Sequence, residues 1–209
     1  MESIILALFI AIIFIVFFQQ YRKAQISRRE KIIDTFQFPH SLNQKVLDEY
    51  PHLSADQVER VIDGMREYFH VCNIGKHKLI AMPSQAVDVA WHEFILFTRE
   101  YKKFCDKALG RFLHHTPAEA MTSQTKAQRG IQRAWKISCS REGIAPRAPN
   151  KLPLLFALDK DLEIPNGFTY SLNCLNRDGN HYCASHIGCG SGCSSCGGDS
   201  GCSGGCGGD

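Results

Sequence analysis

Residues Met82 to Pro117, MPSQAVDVAWHEFILFTREYKKFCDKALGRFLHHTP, decide how the rest of the chain is read. Pro83 and Ser84 form a helix start and Gly110 a stop, and the 25 residues from Gln85 to Leu109 carry a helical period. At about 100° per residue, Val87, Trp91, Phe94, Thr98, Cys105 and Leu109 fall on one face, with Asp88, His92 and Arg99 on its flank. The spacing predicts one long helix with a core face and a polar edge. Cys105, on the apolar face, reads as a small buried hydrophobe rather than a ligand.

On the N-terminal side, two capping-box patterns, Ser41 with Gln44 and Ser54 with Gln57, each precede a helical stretch, and Pro51 separates them. The second helix carries the stronger stripe: Val58, Val61, Ile62, Met65, Tyr68, Phe69 and Cys72 recur at helical spacing. Such a stripe needs a partner surface, and the apolar face of the helix beginning near Gln85 supplies one. Asn73 to Met82 connects the two, with a turn at Gly75 and a short extended piece at Leu79 to Met82.

Further out, Ile4 to Phe18 is an unbroken apolar run of 15 residues, followed by Arg22, Lys23, Arg28, Arg29 and Lys31. It lacks a basic n-region and a small-residue cleavage site, so it reads as a transmembrane anchor rather than a signal peptide. The trailing cations place the main domain in the cytoplasm and the N-terminus outside. In a reducing compartment the ten cysteines are thiols or metal ligands rather than disulfides. The composition of the whole 209-residue chain suits one globular core, and a net charge of +3 does not indicate a nucleic-acid protein.

Toward the C-terminus, Thr116-Pro117-Ala118-Glu119 supplies a helix start, and the helix runs to about Ser140. Lys126, Arg129, Arg133 and Lys136 form a basic stripe on it, either a solvated face or a surface for anionic lipid headgroups. Gly143 to Pro153 breaks regular structure, and Leu152 to Leu158 returns to cover the core. From Asn166 the chain becomes turn-like, and from Gly188 it is a Cys/Gly-rich low-complexity tail. The expected architecture is therefore mainly α: an anchor at 1–21, a basic juxtamembrane linker at 22–40, a helical domain at 41–165 and a flexible tail at 166–209.

Two residue sets carry potential chemistry. Asp88 and His92, at i and i+4, share one helix edge, and His114 and His115 follow the Gly110 stop, where the chain can fold back to offer further ligands. A carboxylate with neutral imidazoles suits zinc or another divalent transition metal; the same groups also serve as hydrogen-bonded structural histidines. His92-Glu93 begins a zinc-protease-like motif, but Leu96 stands where its second histidine belongs. The second set is His181, Cys183, His186, Cys189, Cys193, Cys196, Cys202 and Cys206, whose spacing suits soft ions once the thiols are deprotonated.

Val87-Asp88, Trp91-His92, Thr98, Tyr101, Phe104-Cys105, Gly110 and His115 together resemble the glycine-rich domain-containing protein-like family, here as a bacterial-type, membrane-anchored member. The resemblance covers roughly residues 41–140 and implies an α-helical domain of unknown function. Plant relatives carry His-x-His after the tryptophan, whereas this chain has Phe94 at the second position. That leaves Asp88, His92 and His115 as the polar set carried over. The Cys/Gly-rich tail also resembles substrates of peptide-modifying oxidases, which makes a tail-modifying enzyme a candidate partner beside a protein ligand. The sequence thus leads to a membrane-anchored helical binding module with a metal site. A metal- or His-dependent enzyme on the same edge, and a plain scaffold, are the alternatives.

Overall fold

The computed structural model describes residues 2–115, 124–172 and 182–183. Helix α1 spans Glu2–Thr35, α2 Ser41–Glu49, α3 Ala55–Gly75, α4 Gln85–Leu96 and α5 Thr98–Phe104, which continues into a π-helical turn over Cys105–Leu109. Helices α6, Gln124–Arg141, and α7, Leu154–Asp161, follow. Two short strands, β1 (Tyr170–Ser171) and β2 (Tyr182–Cys183), pair in parallel with Tyr170 opposite Tyr182.

Helix α3 is the centre of the bundle and touches α1, α2, α4, α6 and α7. Its stripe is buried as the periodicity predicts, from Val58 through Cys72. The Ser54 capping box forms in full: Ser54 Oγ accepts from Gln57 N at 3.3 Å, and Gln57 Oε1 accepts from Ser54 N at 2.8 Å. The Ser41 box does not form, because Ser41 already lies inside α2 and Gln44 donates instead to Asp48 at 2.9 Å. Gly64 lets α3 approach α4 closely, since a Cβ there would stand 2.8 Å from Val87 Cγ2. The core between these helices is aromatic: Phe69 and Phe104 have ring centroids 4.6 Å apart, Phe36 and Phe104 4.7 Å, and Phe38 and Phe94 5.1 Å.

The N-terminal reading is corrected. Among the described residues no helix is long and apolar enough to cross a membrane, and the anchor, its orientation and the cytoplasmic placement drawn from it fall together. The physical reason is length: 15 apolar residues span about 22 Å of helix, short of the roughly 30 Å of bilayer hydrocarbon. Gln19, Gln20, Arg22 and Lys23 follow in the same helix instead of extending the run. Residues 22–35, read as a linker, continue α1 and pack on the bundle, with Ile33 fully buried. Arg66 holds the end of α1 by donating to the carbonyls of Ile33, Asp34 and Phe36, groups that a helix terminus otherwise leaves unpaired.

The single long helix from Gln85 is also corrected. Phe97, at φ −77° and ψ 58°, breaks it into α4 and α5. Thr98 is consequently exposed, while Val87, Trp91, Phe94, Cys105 and Leu109 are buried as expected. Gly110 ends the π-turn in the left-handed region at φ 66°, matching its reading as a stop. Leu155, Phe156 and Leu158 of α7 cover the core, and Tyr170 packs on Phe156 with centroids 4.8 Å apart. The chain from 166 to 171 is therefore attached to the bundle rather than the start of a loose tail. The helix start at residues 116–119 and the tail from 184 onward lie outside the described residues.

Candidate metal centre

The edge of α4 is fixed from its first turn. Ser84, extended at φ −131° and ψ 127°, caps the helix by accepting from Val87 N at 3.2 Å. Its hydroxyl donates to Asp159 Oδ1 at 2.6 Å, and Asp159 also accepts from the backbone N–H groups of Gln85 at 2.7 Å and Ala86 at 3.2 Å. A fourth bond, from Phe168 N at 2.9 Å, completes the set. A buried carboxylate from α7 thus satisfies donors that the start of α4 leaves unpaired, where the helix dipole also favours negative charge. No spacing in the sequence pairs residue 159 with residues 84–86.

From that start, Asp88 and His92 stand one turn apart, with His92 Nδ1 3.6 Å from Asp88 Oδ2. The third group arrives from residues 111–115. Tyr101 donates its hydroxyl proton to the carbonyl of Leu113 and accepts from Trp91 Nε1 at 3.1 Å. Burial, then the neighbouring Cys105, raises the Tyr101 pKa and keeps that proton in place. Arg111 ties the same segment to the carbonyl of Lys76, at the end of α3. Leu113 is buried, and two residues on His115 lies against Trp91, ring centroids 4.8 Å apart, and 3.9 Å from the His92 ring.

The three side chains converge. His115 Nε2 stands 3.1 Å from Asp88 Oδ1, and His115 Nδ1 stands 3.2 Å from His92 Nε2. One ligand atom from each of Asp88, His92 and His115 lies within 4.8 Å of the others. His115 is 15% exposed, Asp88 25% and His92 49%, so two groups are largely covered and the third faces solvent. A contact between two imidazole nitrogens can share only one proton, and a bound cation would replace that contact with two bonds. His114 is not in the trio: it is exposed and packs against Phe112, ring centroids 4.8 Å apart.

The other sequence candidates fare differently. Arg133 leaves the basic stripe of α6 by donating to the Leu79 carbonyl at 3.1 Å, while Lys126, Arg129 and Lys136 are exposed. Cys183 lies in β2, and His181, His186, Cys189, Cys193, Cys196, Cys202 and Cys206 fall outside the described residues. Cys72, Cys105 and Cys139 are free and buried; burial pushes the Cys72 thiol up to about 12 and Cys139 to about 11, which keeps both protonated and inert.

The family model described as UCP032817-like matches residues 28–187, and the chain belongs to that family. The match takes in α2 to α7 and all three converging residues. It agrees with the expectation of a domain of unknown function, without a glycine-rich or membrane-anchored label. No curated protein and no solved structure matches the chain.

Proposed function

We propose that this helical domain is a binding module for a divalent transition-metal ion, held by Asp88, His92 and His115. The observation that carries this reading is the convergence of one carboxylate and two imidazoles from α4 and from a segment 23 residues beyond His92. Nitrogen and oxygen ligands of this kind suit zinc, with bonds of about 2.0–2.2 Å. Tetrahedral bonds of that length set ligand atoms roughly 3.3–3.5 Å apart. With one ligand atom taken from each residue, the three lie within 4.8 Å of one another, wider than that spacing, and rotation of the exposed His92 ring closes the set around an ion. Three protein ligands leave a coordination position for water or a partner's side chain, which suits a binding or recruitment role.

The Cys/Gly-rich tail, by its composition, is a second and softer donor set, for Zn(II) or Cu(I). The Val87-Asp88, Trp91-His92 and His115 pattern supports the finer kinship with glycine-rich domain-containing proteins. The test is a zinc titration of the full chain against a chromophoric chelator under reducing conditions. It is run in a background where Cys183, Cys189, Cys193, Cys196, Cys202 and Cys206 are serine. One equivalent of zinc is expected to remain, and His92→Ala and His115→Ala each to weaken it at least about tenfold. Zinc that vanishes with the six thiols, or that ignores both histidine substitutions, overturns the reading.

A further inference from the structure

We propose that the groove between α1 and the α5 to π-turn segment binds a small amphiphilic anion, an acidic head group carried on an alkyl chain. Two adjoining hollows, of about 390 and 360 Å³, share Ile32 and Lys107 and so form one groove. Each falls in the range of roughly 300–1,000 Å³ common for ligand sites. Ile32, Phe36 and Phe104 form its apolar floor, and Lys103, Lys107, Arg28 and Arg29 line it.

The charge balance points to the ligand. Four cations line the groove against two carboxylates, Glu100 and Asp106, and Asp106 is already bonded to Lys102 at 2.8 Å. Among the described residues, Arg28, Arg29, Lys103 and Lys107 make no hydrogen bond or ion pair. Arg66, Arg111 and Arg133 instead donate to carbonyls, and Arg141 to Glu67 and Glu30, whereas Arg99, Arg129 and Arg147 outside the groove also make no such bond. Arg29 lies over Gly110, where a Cβ would stand 2.0 Å from its Nη2.

Unpaired cations gathered beside an apolar floor repel one another until an anion joins them, and a free inorganic anion leaves that floor in water. An alkyl chain on the anion covers it. The π-turn over Cys105–Leu109 contributes Asp106 and Lys107 to the groove wall, a widened helical turn of the kind often found at functional sites. None of Asp88, His92 and His115 lines the groove, so this inference stands apart from the metal reading.

The probe is decyl phosphate, titrated calorimetrically into the full chain below its micellar range. Inorganic phosphate and decanol serve as head-only and tail-only arms. The variants are Lys103→Glu with Lys107→Glu, and Lys45→Glu with Lys160→Glu, both exposed and outside the groove, as a control for the same change in net charge. Saturable one-to-one binding is expected, weakened at least about tenfold by the double variant and unchanged by the control. Inorganic phosphate and decanol are each expected to bind at least about tenfold more weakly than decyl phosphate. Circular dichroism and the melting temperature establish that the double variant is folded. No binding overturns the proposal, as does binding undiminished in the double variant, which is uptake on the apolar stretch of α1. Equal binding of inorganic phosphate or of decanol also overturns it.

Discussion

Replacing Asp159 with alanine tests the structural logic of the α4 edge most directly. Its carboxylate is 3% exposed and accepts from Ser84 Oγ, Gln85 N, Ala86 N and Phe168 N at 2.6, 2.7, 3.2 and 2.9 Å. A hydrogen bond to a charged group contributes about 1.5–3 kcal/mol, but four on one carboxylate do not add in full. Leaving these donors unpaired in a largely dry site, and losing the negative charge at the start of α4, sets the cost at about 3–5 kcal/mol. That is a large share of the roughly 5–15 kcal/mol by which domains are stable. Asp159→Asn keeps one acceptor oxygen but turns an NH2 toward two of the donors and removes the charge, and is expected to cost at least about half as much. Urea unfolding at pH 7, followed by the fluorescence of the buried Trp91 and Trp135, reads both. If both variants stay within about 0.5 kcal/mol of the parent, the range of an ordinary surface substitution, Asp159 is not the clamp described here.

Two further outcomes follow from named contacts. Tyr101→Phe removes the hydroxyl shared by Trp91 Nε1 and the Leu113 carbonyl, so it is expected to cost about 1–3 kcal/mol and to weaken zinc binding by loosening His115; full stability with unaltered zinc affinity counts against the relay. His70, buried on α3 and 2.8 Å from Asp34 Oδ1, has its pKa lowered by burial and then by Arg141, against an opposing pull from Asp34 that is weakened because Asp34 is largely exposed. The unfolded chain therefore binds a proton, at about pH 6.5, before the folded one does. Its contribution is fully present above that pH and is lost as pH falls below it, so the melting temperature is expected to drop between pH 7.5 and 5.5, and to drop less in His70→Gln. Parallel pH profiles for the two proteins would remove His70 as the cause.

Much of the bundle was legible because its signals are local. The α3 stripe, the Ser54 capping box and the Gly110 stop each depend on residues within a few positions, and periodicity or cap chemistry reads them directly. Asp88 and His92 are legible for the same reason, one helical turn apart. Asp159 is not, since three of its four partners lie more than 70 positions away and a single aspartate carries no pattern. The Ser41 box failed because nothing in four residues distinguishes a cap from the first turn of a helix already begun. The apolar stretch at 4–18 reaches a spanning length only when its polar neighbours are counted with it, and the 15 apolar residues alone fall short.

The break at Phe97 is the most consequential feature that periodicity does not show, because it builds the site. In an unbroken helix Tyr101 would stand about 15 Å along the axis from Trp91 and be turned roughly 80° away from it. The bend instead brings the Tyr101 hydroxyl to 3.1 Å from the Trp91 indole nitrogen. From there the hydroxyl reaches the Leu113 carbonyl, and His115 comes to rest between Trp91 and His92. The family-like positions therefore have a division of labour: Asp88, His92 and His115 present the donor atoms, while Trp91, Tyr101 and Gly110 bring residue 115 to residue 92. A continuous helix would have kept Asp88 and His92 as an ordinary i, i+4 pair; the bend and the returning segment give that pair its third member.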